Sequence, residues 1–175
     1  MMKMETKKII LYIIVLCCLF LLPICMVIVN TDTLKDGNEF LFKVGAFDPY
    51  DFLRGNYLDI SFLEDEAKGK VDSVLEYGDK CFAKIEKNND GFAYFSDLTV
   101  KKPKDTSDYY ETVMYYSTRI ETPTRYYMNE NKSLDAEEIY RENIENTYIK
   151  VRVKNGKMVI IGVYVDDKLI DTIEK

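Results

Sequence analysis

The sequence predicts an α+β protein, in which one N-terminal transmembrane helix precedes a mostly antiparallel β domain with one short helix. Three observations lead to this fold class. A long uncharged apolar run lies near the N-terminus. Beyond it, apolar and polar residues mostly alternate with period two, which is typical of half-buried strands. Residues 133–146 depart from this alternation and place their apolar side chains at helical spacing.

The apolar run extends over residues 9–29, twenty-one positions without a charged side chain. At about 1.5 Å per residue, a helix of this length spans roughly 30 Å, the thickness of the hydrocarbon core of a bilayer. Lys3, Lys7 and Lys8 precede the run. Because basic residues favour the cytoplasmic side, we expect the N-terminus in the cytoplasm and the rest of the chain outside the cell membrane.

A cleaved signal peptide is the alternative to a retained anchor. Such a peptide usually has an apolar stretch of about 7–15 residues that ends at small side chains. Residues 26–29 read Met-Val-Ile-Val, and Ile24 precedes Cys25, so neither the ordinary nor the lipoprotein cleavage pattern is present. The sequence therefore favours an anchor, with a cytoplasmic N-terminus at 1–8, a transmembrane anchor at 9–29, a polar stalk at 30–38 and an extracytoplasmic domain at 39–175.

Composition limits what the external domain can bind and catalyse. Beyond residue 30 the chain has 21 basic and 29 acidic residues. Such an acidic surface repels nucleic acid and anionic lipid headgroups, so neither is predicted as a partner. The chain has no histidine, the commonest general base and metal ligand, and we predict no metal and no cofactor. Cys81 is the one cysteine outside the apolar run, so no disulfide can form within the domain, and burial is the expected role of this side chain.

The alternating runs locate the secondary structure of the domain. Strands are predicted at residues 40–46, 57–63, 80–86, 92–100, 111–120 and 124–128. The helix predicted at 133–146 has Ser133 as its N-cap, with Asp135 and Glu137 near the positive end of the helix dipole.

A C-terminal hairpin is the clearest local prediction. Asn155-Gly156 is a type I′ turn signal between two alternating runs. The predicted pairs are Val153 with Met158, Val151 with Ile160, Arg152 with Val159, and Lys150 with Ile161. The second strand, at 158–165, is apolar on both sides, which predicts an interior position in its sheet. A turn at Asp166-Asp167 then leads to a short strand at 169–170.

Residues 47–57 form the densest group of candidate site residues. Asp48, with Pro49 after it and Asp51 three positions on, suits a capped helical turn, and Gly55 suits its left-handed exit. In the alternative interpretation, Asp48, Asp51 and Arg54 bind a ligand at this corner. Common catalytic patterns, such as the nucleophile elbow and the P-loop, are absent from the sequence.

Residues 124–130 allow two interpretations in the same way. Arg125 and the two tyrosines after it alternate as on an ordinary strand, and Glu130 leads into the predicted helix. Alternatively, Arg125 or Glu130 binds a ligand or a partner. The fourteen tyrosines of the chain favour amphipathic strand faces.

Residues 55–62, Gly-Asn-Tyr-Leu-Asp-Ile-Ser-Phe, resemble the signature of the GDYXXLXY family, bacterial membrane-anchored proteins of unknown function. Gly55 and Tyr57 match the signature, while three positions depart from its Asp, Leu and Tyr: Asn56, Ile60 and Phe62. Residues 124–130, followed by an acidic helix, are similar to the second block of the family. The resemblance implies an anchored extracytoplasmic domain and no particular activity.

The sequence leaves two function hypotheses. The first is an accessory or interaction module that is held in the cytoplasmic membrane by residues 9–29 and contacts another membrane protein or a cell-envelope component. The second is a carboxylate-dependent envelope hydrolase that acts on an anionic substrate. The candidate binding residues are Asp48, Asp51, Arg54, Tyr57, Arg125 and Glu130, and no residue is assigned as catalytic.

Overall fold

The computed structural model of the chain describes residues 2–45, 57–116 and 118–173, with side chains at all of these except 2–6, 130 and 131. A long N-terminal helix is followed by antiparallel sheets and one short helix, so the predicted α+β class is confirmed. The elements are α1 Met2–Asp36, β1 Asn38–Lys43, β2 Tyr57–Asp59, β3 Lys80–Lys87, β4 Ala93–Thr99, β5 Tyr109–Tyr116, β6 Arg119–Ile120, β7 Arg125–Tyr127, α2 Glu130–Glu142, β8 Thr147–Lys154, β9 Lys157–Val165 and β10 Lys168–Leu169. Short 3-10 helices follow α2 and β10, at Ile144–Asn146 and Ile170–Thr172.

Helix α1 is long and apolar enough to cross a membrane, and its apolar stretch makes no contact that buries it within the protein. Some signal sequences near an N-terminus are also long and apolar enough to form such a helix. The helix continues to Asp36, so most of the predicted stalk at 30–38 forms its last turns, Gly37 connects the two elements and Asn38 begins β1. Pro23 lies inside the helix, a position that membrane helices tolerate.

The last turns of α1 are fastened to β8. Lys154 Nζ lies 2.9 Å from Asp32 Oδ1 and 3.3 Å from Asp36 Oδ2. Arg152 donates hydrogen bonds to the carbonyl oxygens of Leu34 and, at 3.2 Å, of Lys35. These contacts set the direction in which the helix leaves the domain. We refer to them as the helix–domain junction.

Two four-stranded sheets and one two-stranded sheet share a single core. The strand orders are β1-β8-β9-β10, β4-β3-β5-β6 and β2-β7, and every pairing between these strands is antiparallel. Phe42 of β1 connects the layers, because its ring stacks on Phe95 of β4 at 5.2 Å and meets the edge of Phe62 at 5.1 Å. Cys81 is fully buried in this core, as predicted, and burial raises the pKa of its thiol to about 11.

The C-terminal hairpin has the predicted turn. Asn155 and Gly156 have φ angles of 50° and 89°, as a type I′ turn requires. Three of the predicted pairs are observed: Val153 with Met158, Val151 with Ile160, and Arg152 with Val159. Strand β9 lies between β8 and β10, which confirms its interior position.

One predicted pair of this hairpin is wrong. Lys150 lies opposite Gly162 and not Ile161, because a β-bulge inserts one extra residue on β9 between the pairs of Lys150 and Val151. The turn at Asp166-Asp167 is observed, with φ angles of 48° and 65°. The short strand after it begins one residue earlier than predicted and ends at Leu169.

Several other predicted elements have different limits in the structure. The strand predicted at 57–63 is a strand only at Tyr57–Asp59, and the strand predicted at 40–46 lies at Asn38–Lys43. The strand predicted at 111–120 is a hairpin of β5 and β6, because folding back pairs Ile120 with Met114 and buries both side chains. The helix predicted from Ser133 begins at Glu130, so Ser133 lies inside α2 and is not its N-cap. The helix ends at Glu142, where the Asn143 side chain donates to the carbonyl of Ile139 at 2.8 Å.

Candidate functional site

Strands β2 and β7 form a small sheet that brings two of the predicted site residues together. Tyr57 pairs with Tyr127 and Asp59 pairs with Arg125 in the antiparallel register. Between these pairs, Leu58 is buried. Because side chains alternate across a strand, Tyr57, Asp59, Arg125 and Tyr127 share the opposite, outer face.

The outer face carries a cluster of one arginine and two tyrosines. The guanidinium carbon of Arg125 lies 4.9 Å from the centre of the Tyr57 ring, in cation–π geometry. The rings of Tyr57 and Tyr127 meet edge to face at 5.9 Å. Tyr127 is 69% exposed. A hydrogen bond with Tyr127, and then the neighbouring Tyr57, raises the pKa of the Arg125 guanidinium, a group that is cationic at neutral pH in any protein. We call Tyr57, Arg125 and Tyr127 the outer-face cluster.

The signature-like segment divides its side chains between the core and the surface. Leu58, Ile60 and Phe62 are at most 3% exposed and belong to the hydrophobic core. Tyr57 points the other way, into the outer-face cluster. Ile60 and Phe62 therefore fill the core where the family signature has Leu and Tyr, and Tyr57 supplies a half-buried ring on the outer face.

Tyr140 of α2 connects the backbone after β1 with the backbone after β2. Its hydroxyl donates to the Gly45 carbonyl at 3.1 Å and accepts the Ser61 amide at 3.5 Å. The Gly45 amide also donates to the Ser61 carbonyl at 2.9 Å. Burial raises the pKa of Tyr140 to about 12, so the hydroxyl stays protonated and can donate at neutral pH. Tyr140 and this backbone pairing thus hold Gly45, after β1, beside Ser61, after β2.

The predicted candidates differ in how far the structure describes them. Tyr57 and Arg125 lie together in the outer-face cluster. Glu130 is the first residue of α2, and its side chain lies outside the described part of the protein. Three candidates lie wholly outside the described residues: Asp48, Asp51 and Arg54. The carboxylates that the hydrolase hypothesis requires all lie outside the described part of the protein. Their role in a site therefore stays a prediction from the sequence.

Tyr127 is a member of the cluster that sequence reasoning did not select. The signal was present, because residues i and i+2 of a strand share a face and Arg125 was already a candidate. The sequence does not show, however, that β7 pairs with β2. Only that pairing places the Tyr57 ring beside both side chains.

Two clefts of the domain are lined by other residues. One, of about 540 Å³, contains Asp72, Lys84 and Asp105 in its wall, and the other, of about 260 Å³, contains Phe92 and Tyr148. In the larger cleft, a hydrogen bond from Lys84 lowers the pKa of the Asp105 carboxyl. The lowered pKa favours the ionised form of Asp105, whereas a general acid has to be protonated before it can donate a proton. Among the described residues, no group of three or more acidic or sulfur side chains is arranged to hold a metal ion.

Comparison with known proteins gives one match. A family model described as GDYXXLXY protein matches residues 19–163, which includes the second half of α1 and nearly all of the β domain. No curated protein and no solved structure matches the chain.

Proposed function

The chain belongs to the GDYXXLXY family, and from this premise we propose that it is a membrane-anchored accessory module whose external domain contacts another membrane protein or a cell-envelope component. Helix α1 supplies the proposed anchor and the outer-face cluster supplies the proposed contact surface. Tethering supports this function, because an anchored domain meets its membrane neighbours at high effective concentration, so that a small contact surface suffices.

The proposed anchor is residues 9–29, with residues 1–8 in the cytoplasm and the domain outside. Its support is the uncharged apolar run, the lysines before it and the exposed apolar side chains along α1. The helix–domain junction supports retention as well, because Asp32 and Asp36 of α1 are ion-paired with Lys154 of the domain. A cleavage at the end of the apolar run would leave this short helical end without its preceding turns.

Cysteine labelling in intact cells tests the orientation. Asn89 lies in an exposed turn of the domain, and Thr6 lies before the apolar run. We expect Asn89→Cys to react with a membrane-impermeant thiol reagent in intact cells, and Thr6→Cys to react only after permeabilisation. Cys81 is buried and gives a low background. The opposite pattern would reverse the topology, and a mature N-terminus after residue 24 by mass spectrometry would show that the anchor is removed.

The outer-face cluster is the observation on which the proposed contact rests. An exposed guanidinium lies against one tyrosine ring, and a second ring next to it is more than two-thirds exposed. Tyrosine and arginine are the side chains that carry much of the binding energy in protein interfaces. The cluster is also held on a paired sheet above the core, so binding would not have to order it first.

Photo-crosslinking from Thr124, an exposed position beside Arg125, tests the contact in native membranes. We expect Arg125→Gln to reduce the yield of the crosslinked species at least about tenfold, as for an interface hot spot. Arg125→Lys should also reduce it, because lysine keeps the charge but not the planar group that stacks on Tyr57. The matched control is Arg141→Gln, which alters an exposed arginine of α2 that belongs to neither strand of this sheet. Equal yields from Arg125→Gln and the unmodified protein would refute the role of the cluster.

A further inference from the structure

Three tyrosines form an exposed aromatic platform on the sheet that contains β5. The rings of Tyr77, Tyr115 and Tyr116 contact one another in all three pairs, with centroids 5.6, 5.7 and 5.9 Å apart. Their side chains are 54–68% exposed, and Val74, just before Tyr77 in the chain, is 71% exposed. Apolar and aromatic surface gathered in this way marks an interaction site more often than scattered exposed side chains do.

Backbone hydrogen bonds hold the tyrosine platform in place. The turn that carries Tyr77 is bound to β5 on both sides, because Gly78 donates to the Met114 carbonyl and Met114 donates to the Asp79 carbonyl, each at 2.9 Å. Within the turn, the Glu76 amide donates to the Asp79 carboxylate at 2.9 Å. The platform is therefore formed before any partner arrives, and little conformational entropy is lost when a partner binds.

Acidic side chains surround the tyrosine platform. Glu76 and Asp79 are exposed and flank Tyr77 in its turn. Arg119, which lies opposite Tyr116 across the β5–β6 pair, is already held by Asp65 and Glu66 at 3.3 and 3.2 Å. Lys80, next to Asp79, is also exposed. Four carboxylates against the cations of Arg119 and Lys80 leave the segments next to the rings with a net negative charge.

We propose that the tyrosine platform is a docking surface for a basic segment of a partner protein, one that presents lysine or arginine side chains. Tyrosine faces attract ammonium and guanidinium groups through the ring quadrupole. The surrounding carboxylates attract the same groups and repel acidic ones. A second copy of this acidic chain and an anionic membrane surface are both disfavoured by the same charge.

The position of the platform fits a partner that approaches from outside the membrane. Glu111, near the start of β5, donates its amide to the Gly156 carbonyl in the turn of the β8–β9 hairpin. The same hairpin carries Lys154 of the helix–domain junction. Tyr116 lies five residues further along β5, about 17 Å at the usual rise of a strand. The platform is thus at the end of β5 away from the junction.

A peptide titration tests the inference directly. The full chain is placed in nanodiscs of zwitterionic phosphatidylcholine and titrated with a hexalysine peptide, with hexaglutamate as the second probe. We expect hexalysine to bind, with an affinity that falls as salt rises, and hexaglutamate not to bind. The double variant Tyr77→Ala/Tyr115→Ala should weaken hexalysine binding about tenfold. Tyr77→Phe/Tyr115→Phe should bind nearly as well as the unmodified protein, because the rings remain.

Control variants separate this surface from the outer-face cluster. Tyr127→Ala removes an equally exposed tyrosine of that cluster, and neither this variant nor Arg125→Gln should change hexalysine affinity by more than about twofold. The two proposals can therefore fail separately. Equal hexalysine affinity in the Tyr77→Ala/Tyr115→Ala variant would overturn the docking surface. So would binding of hexaglutamate, or self-association in sedimentation that the same double variant abolishes.

Discussion

Replacing Gly156 by valine is expected to lower the free energy of unfolding of the β domain by about 3 kcal/mol, from backbone strain and overpacking together. Gly156 has a φ of 89°, which a β-branched residue adopts only with strain. A Cβ atom there would also lie 3.0 Å from the Tyr109 ring and 3.1 Å from Glu111 Cβ. Both neighbours belong to β5, so the turn of the β8–β9 hairpin would be pushed away from the adjacent sheet.

Gly91→Val is the matched control for this change. Gly91 has a similar φ of 84°, but a Cβ atom there would meet nothing within 4 Å. We expect it to cost about 1–2 kcal/mol, the backbone strain alone. Urea unfolding of both variants in the same nonionic detergent measures the difference. Equal losses in the two variants would show that the Gly156 turn does not pack closely against Tyr109.

Replacing Gly37 by alanine is expected to disrupt the helix–domain junction at a cost of about 2–3 kcal/mol. Gly37 lies between α1 and β1, and a Cβ atom there would collide with the Thr33 carbonyl oxygen. It would also lie 3.1 Å from the Val153 carbonyl oxygen of β8. Neither carbonyl belongs to a flexible side chain, so the end of α1 and β8 would have to separate.

Hydrogen exchange of the full chain in nanodiscs measures this separation. We expect amides at residues 33–40 to lose protection in Gly37→Ala, while the buried strands β3 and β5 keep theirs. Gly45→Ala is the control, because a Cβ atom at Gly45 would have only ordinary contacts of 3.4–3.6 Å. Unchanged protection at residues 33–40 would mean that α1 and the domain are not held as closely as the junction contacts indicate.

The parts of the fold that could be predicted are those that a short stretch of sequence determines. The long helix followed from an uncharged apolar run, and the β8–β9 hairpin followed from Asn155-Gly156, because positive φ angles restrict a turn to few residue types. The limits of α2 and of β5 were not predictable in the same way. The chain turns back after β5 because Ile120 gains burial beside Met114, and alternation alone cannot distinguish one long strand from two short paired ones.

The amino-acid sequence was enough to predict the apolar helix, the antiparallel class of the domain, the family signature and the candidacy of Tyr57 and Arg125. Which side chains contact one another depends on the folded structure. Tyr57 and Arg125 are 68 positions apart and come into contact only because β2 pairs with β7. Tyr77 likewise reaches Tyr115 and Tyr116 because its turn is hydrogen-bonded to β5. Strand pairing of this kind is non-local, since it depends on burial of the whole core and not on the residues of either segment alone.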